Sequence, residues 1–261
     1  MGRILLLGAG KRAASGSAFD PSTLSPLVWF DMSDLSTMFQ DAAASTPVTT
    51  NADPVRRINN KGSHSFNMQS ASDSTRVAYG TGSGLHWVVG DAVDDKLLGT
   101  VDIPSMDDCE VIAAMRPAAL TQTARAVTWQ NGSGGYFGLY YRGDGVGNYR
   151  MMSSVDSFTT NGPDHAGITV DTVVVLGATR DRNLSTTGAR VWTNGAASGG
   201  QATTADAALP SGSFCLNAHP QSAAQFSSAR FYQVLIFNRL LTTQERADLT
   251  TWMGAKVGLT L

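Results

Sequence analysis

Glutamate and lysine are scarce in this chain. Of its 21 acidic residues only Glu110 and Glu245 are glutamates, and of its 19 lysines and arginines only four are lysines. Strong helix formers are therefore few, while Gly, Ser, Thr, Asn and Asp abound, which argues against a mainly helical body and for short strands between turns. No apolar run approaches the roughly 20 residues of a membrane span. Charge of one sign is also lacking: the net charge is −2, with 15% charged residues. Without a basic field to hold phosphates, nucleic acid is excluded as a partner. Cysteine is confined to Cys109 and Cys215, far apart and in apolar, strand-like surroundings. That pattern reads first as two buried free thiols, with a single long-range disulfide as the alternative.

What is present begins with a decoy. Arg3 to Ala14 runs from an apolar stretch into Gly8-Ala-Gly10-Lys-Arg-Ala, the outline of a phosphate loop. The fingerprint needs a helix directly behind its glycines and a second parallel strand leading to an acid. Pro21, Pro26 and a run of small polar residues leave no room for that helix, and Lys11 is followed by Arg12 instead of Ser or Thr. Ile4 to Leu7 is also shorter than the roughly 7–15 apolar residues of a secretory signal. The segment reads as an N-terminal anchor and linker over residues 1–20. Its Ile4, Leu5, Leu6 and Leu7 would dock on a larger assembly, and residues 21–261 form one domain.

The rest of the chain reads as short strands between turn clusters. Leu27–Phe30, Val111–Met115, Ala126–Trp129, Thr172–Thr179, Arg190–Thr193, Phe214–Asn217 and Ala229–Phe237 are strand-like, and Thr172–Thr179 is β-branched enough to be central. Tyr136–Arg142 and Tyr149–Ser153 form a hairpin with a long glycine loop, and Asn194-Gly195 marks a tight one. One helix is expected near the C-terminus. Thr242-Thr-Gln-Glu245 is a capping box, Leu249, Trp252, Met253 and Val257 share one face, and Gly258 is a stop. The predicted fold is all-β: a two-sheet antiparallel jelly-roll sandwich with a short C-terminal helix.

Three stretches carry a resemblance. "SPLVWFDMSDLSTMFQD" (Ser25 to Asp41), "DPVRRINNKGSHSFNMQ" (Asp53 to Gln69) and "ARFYQVLIFNRLLTTQERADLTTWMGAKVG" (Ala229 to Gly258) resemble the opening strand, the strand-turn and the closing strand-helix of concanavalin A-like, laminin-G-like jelly rolls. The Val191–Gly195 hairpin is similar to that family's Tyr-x-Asn-Gly turn. Ile58 stands where the family usually has Trp, and Asn60-Lys61-Gly62-Ser63 where it has Asp-Lys-Ser-Gly. The family is frequent in virion proteins of tailed bacteriophages and in bacterial surface proteins. The resemblance implies a non-enzymatic virion structural protein, a displayed capsid, neck or tail appendage, homo-oligomeric, held to other virion proteins by its N-terminal segment. The alternatives are a polysaccharide lyase or glycosidase on the same fold, or a bacterial surface lectin.

The residues themselves offer little for catalysis. Jelly-roll glycanases need two flanking carboxylates, placed by relatives of this fold as Glu-x-Asp-x-Glu. With two distant glutamates that motif cannot occur. Tyr136-Phe-Gly-Leu-Tyr140 resembles the Tyr-Phe-Lys-x-Gly-x-Tyr strand of jelly-roll lyases but lacks its Lys. His64, His86, His165 and His219 show no metal-ligand spacing, and Asp91, Asp94 and Asp95 suit backbone bonding in a turn. No catalytic residue, metal or cofactor is assigned. Glycan binding fits better, because sugars stack on aromatic rings while polar groups hold hydroxyls. Strand alternation sends Phe137, Leu139 and Tyr141 to one face and Tyr136, Tyr140 and Arg142 to the other. With Asp144 and Asn148 in the adjoining loop and Trp129 nearby, these residues form the candidate carbohydrate patch.

Overall fold

In the computed structural model the described residues are 19–118, 124–131, 136–141, 149–153, 162–184, 188–198, 200, 208–220 and 225–261. Ile4, Leu5, Leu6, Leu7, Gly8 and Gly10 lie outside them, as do Arg142, Asp144 and Asn148.

Eighteen strands are described. In chain order they are β1 (Val28–Asp31), β2 (Met38–Phe39), β3 (Pro54–Val55), β4 (Arg57–Asn59), β5 (Asn67–Gln69), β6 (Val77–Gly82), β7 (Leu85–Val89), β8 (Leu97–Gly99) and β9 (Cys109–Arg116). Then come β10 (Arg125–Gln130), β11 (Tyr136–Tyr141), β12 (Tyr149–Ser153), β13 (Asp164–His165), β14 (Val174–Arg180), β15 (Ala189–Thr193), β16 (Ala196–Ala197), β17 (Ser213–Leu216) and β18 (Arg230–Phe237). The helix α1 covers Thr243–Lys256. It is too short to cross a membrane, and no other helix of the described residues is long and apolar enough to do so.

The strands form two antiparallel sheets. Sheet 1 runs β16-β15-β14-β9-β18-β7-β6-β3, with β1 pairing a second stretch of β18. Sheet 2 runs β13-β12-β11-β10-β17-β8-β5-β4-β2. This is the antiparallel sandwich expected from the strand and turn pattern. Between the sheets lies a core that includes Phe30, Phe66, Trp129, Phe137, Phe214 and Phe231, all fully buried. The Phe30, Phe66 and Phe214 rings meet across it with centroids 5.9–6.5 Å apart, edge-on or offset, as aromatic quadrupoles prefer.

A second apolar layer explains why sheet 1 is buried on both faces. Trp29, Ile112, Val175, Leu235 and Phe237 point away from the first core and meet Leu249, Met253 and Val257 of α1. Both β9 and β14 therefore read as near-continuous apolar runs instead of alternating ones. The helix starts as its sequence dictates: Thr242 Oγ1 accepts the Glu245 N–H at 3.2 Å while a Glu245 carboxylate oxygen accepts the Thr242 N–H at 2.7 Å. Gly258 adopts φ +78° just past its end. Asn194 (φ 49°) and Gly195 (φ 84°) supply the positive-φ pair of the β15–β16 turn.

Gly80 to Gly84 lies in the β6–β7 hairpin, with Ser83 and Gly84 at the turn. Cys109 sits in the inter-sheet core and Cys215 on the outer face of sheet 2; both are buried free thiols. Among the described residues the helix covers sheet 1, and none covers the outer face of sheet 2.

Candidate functional site

That face is built by β10 and β11. Side chains of β11 alternate as expected: Phe137 and Leu139 enter the core, while Tyr136 and Tyr140 point outward. On β10, Val127 and Trp129 point inward. Continuing that alternation backwards would bury Arg125 between the sheets. A register shift between Arg125 and Val127 prevents it, because the extra residue of a bulge reverses the facing of what precedes it. Ala126 and Val127 both join the core, and Arg125 emerges beside the tyrosines.

Arg125 is the centre of the cluster. Its guanidinium carbon lies 4.8 Å from the Tyr140 ring centroid and 5.4 Å from that of Tyr136, within cation–π range. The two rings are 6.3 Å apart and tilted 55°. Arg125 Nε donates to Gln225 Oε1. Arg125 is only 6% exposed, yet among the described residues no carboxylate reaches it, and its Nη1 has no hydrogen-bond partner. Tyr140 Oη and Gln130 Oε1 are likewise buried and unpaired.

Burial decides which of the predicted rings can stack on a sugar face. Tyr136 is half-buried. Tyr140 is 1% exposed, with Arg125 over its ring, so it offers no stacking face. Trp129 points into the core, where its ring lies 4.4 Å from that of Phe137. Trp129 therefore does not belong to the outer patch. The sequence reading sets it near the patch, but strand alternation puts it inside.

Burial and the nearby cations shift the titration of groups around the cluster. Burial, then the charges of Arg125 and Lys96, pull His219 down to about 4, so it is neutral near pH 7. Burial pushes the Cys215 thiol up to about 12 and raises the tyrosine hydroxyls Tyr136 and Tyr140, so none of them ionises.

The remaining candidates are occupied locally. Asp91, Asp94 and Asp95 lie close together, but one Asp91 oxygen accepts the N–H groups of Val93, Asp94 and Asp95, as the turn reading expected. A cleft of about 240 Å³ between the β15–β16 turn and α1 is lined by Trp192, Asn194, Arg246 and Thr250. Arg246 there is neutralised by Glu110, at 2.5 and 2.8 Å. Glu245 caps α1 and pairs with Arg239, so both glutamates have structural partners.

No protein-family model matches the chain, and no curated protein sequence matches it. Solved structures do. A sialidase of Trypanosoma rangeli in complex with 2,3-difluorosialic acid superposes with TM-score 0.57 and 10% identity, over 91% of this chain and 34% of that one. The binding domain of botulinum neurotoxin serotype G gives 0.58 and 10% identity, over 86% and 50%. Domain 4 of AbnA, a GH43 extracellular arabinanase from Geobacillus stearothermophilus, in complex with arabinotriose, gives 0.53 and 17% identity, over 87% and 98%. The chain thus spans about a third of the sialidase and half of the toxin domain. At these identities the likeness is one of fold.

Proposed function

We propose that this β-sandwich is a glycan-binding module that holds its ligand on the outer face of sheet 2. One observation carries the reading. On the face opposite the helix, the half-buried Tyr136 ring stands beside two buried oxygens, Tyr140 Oη and Gln130 Oε1, that have no partner among the described residues. An unpaired buried polar atom is unfavourable, and a hydroxyl-rich ligand would satisfy it while the ring stacks on a sugar face. The fold likeness to an arabinanase domain in complex with arabinotriose supports the reading. A glycan array probed with the chain and with Tyr136→Ala tests it. Binding to at least one glycan class, weakened roughly tenfold in the variant, is the expected result. Silence across the array sinks the reading.

Binding without cleavage is part of the proposal. The structural engagement of Glu110 and Glu245 supports it, because a glycosidase pair would have to come from aspartates alone. Steady release of reducing ends from a polysaccharide panel would overturn it. The wider setting is a displayed, homo-oligomeric appendage of a tailed-phage virion, attached through residues 4–7, which rests on the sequence resemblance and the apolar N-terminal stretch. Deleting residues 1–18 should leave a folded domain that no longer joins particles; unchanged incorporation would refute the anchor.

A further inference from the structure

We propose that the ligand of the sheet 2 face is an acidic glycan, whose carboxylate or sulfate oxygens seat against Arg125 Nη1. This rests on the glycan-binding reading and narrows it to one substrate class.

The argument is charge balance. Several other arginines of the described residues meet carboxylates, among them these four: Arg246 meets Glu110, Arg150 meets Asp164 at 3.3 Å, Arg116 meets Asp171 at 3.1 Å, and Arg182 meets Asp107. Each of these four is more exposed than Arg125 or lies against a carboxylate that answers its charge. Arg180, fully buried, donates to the Asp107 backbone carbonyl at 2.7 Å. Arg125 is 6% exposed, and among the described residues its guanidinium meets two tyrosine rings and the Gln225 amide oxygen but no carboxylate. Ring quadrupoles and an amide oxygen offset part of the cost of burying a cation, but they do not neutralise it. A guanidinium with a free N–H edge matches the planar oxygens of a carboxylate or the oxygens of a sulfate, through charge-assisted hydrogen bonds.

Tyr140 Oη and Gln130 Oε1 have no partner and could pair with the hydroxyls of the same sugar. A neutral glycan would satisfy those oxygens but leave the Arg125 charge unanswered.

The probes are an oligogalacturonate, its methyl ester, a sulfated galactan oligosaccharide and a neutral galactan oligosaccharide, titrated calorimetrically into the full chain. The carboxylate, the sulfate or both should bind at least tenfold more tightly than the ester and the neutral probe. Which acid binds tells uronate from sulfate recognition. Arg125→Gln should lose that preference, and Arg125→Lys should retain part of it. Binding of the acidic probe by the unmodified chain should also weaken as salt rises, a readout that needs no variant to fold. Equal affinity for neutral and acidic probes, or salt-insensitive acid binding, overturns the inference and leaves glycan binding standing. Failure of every probe here together with a silent array overturns both.

Discussion

Asn60 Oδ1 accepts the backbone N–H of Trp29 at 2.8 Å and fastens the opening strand to a turn 31 residues downstream. The same amide accepts the Gly62 N–H at 3.0 Å and donates to the Leu27 and His64 carbonyls at 3.1 and 2.8 Å. One side chain thus serves four backbone groups. Asn60→Ala should cost about 2–4 kcal/mol, because partly buried backbone groups lose their partners. Urea unfolding checks this; a loss below about 0.5 kcal/mol would show that water replaces the amide freely.

Gly62 in that turn has no room for a side chain. A Cβ there would lie 2.6 Å from the Leu27 carbonyl oxygen and 2.8 Å from that of Pro26. Both obstacles are backbone and cannot rotate away. Gly62→Ala should lower stability by about 2–3 kcal/mol through displacement of β1. The thermal midpoint should fall accordingly, and an unchanged midpoint would mean that the turn is not held against β1.

Removing the carboxylate of Glu110 should be the most damaging of these changes. It is fully buried, pairs twice with Arg246 and accepts the Leu241 N–H at 3.1 Å. Glu110→Ala strands a guanidinium and should cost about 3–5 kcal/mol. The double variant Glu110→Leu with Arg246→Met should recover a large part of that loss. If the double variant is no better than the single one, the pair contributes through more than charge balance.

Two groups titrate in the same range with opposite signs. Burial, helped by Asp91 and Asp94, raises Asp95 to about 6, so its contribution to stability is full below about 4 and is lost as pH rises through 6. Burial with Arg125 and Lys96 lowers His219 to about 4, so its contribution is full above about 6.5 and is lost as pH falls through 4. The two should largely cancel between pH 4 and 6. Asp95→Asn should unmask a curve that rises with pH, and His219→Gln one that falls. Each difference should reach about 1–2 kcal/mol after allowance for solvent screening. Denaturant midpoints at pH 4.5, 5.5 and 6.5 decide it; parallel curves for both variants would refute the assignment.

The features legible in the sequence were the local ones. The Thr242–Glu245 capping box, the Asn194-Gly195 turn, the β-branched run of β14 and the two faces of β11 each follow from short-range geometry. Asn60 in place of the family's aspartate leaves the turn intact, since its amide supplies two donors as well as an acceptor. The strands β6, β7 and β8 are not legible in the sequence; Gly80, Gly82 and Gly99 interrupt the apolar pattern of β6 and β8. The centre of the candidate site was not read either. Arg125 falls on an inward position if β10 is regular, and only the register shift brings it out. An arginine where alternation demands an apolar residue was the available sign of a bulge. Gln225 and His219 join the cluster from distant segments and left no local sign.

The two cysteines occupy different layers of the molecule, Cys109 inside the sandwich and Cys215 on the outer face of sheet 2. Each is sealed from solvent, so an alkylating reagent reaches it only when the protein opens. The pair therefore acts as a built-in two-channel probe. Modification of Cys109 reports separation of the sheets, whereas modification of Cys215 reports exposure of the outer surface near Arg125. An occupant of that surface should protect Cys215 and leave the rate at Cys109 unchanged, unless it stabilises the whole sandwich.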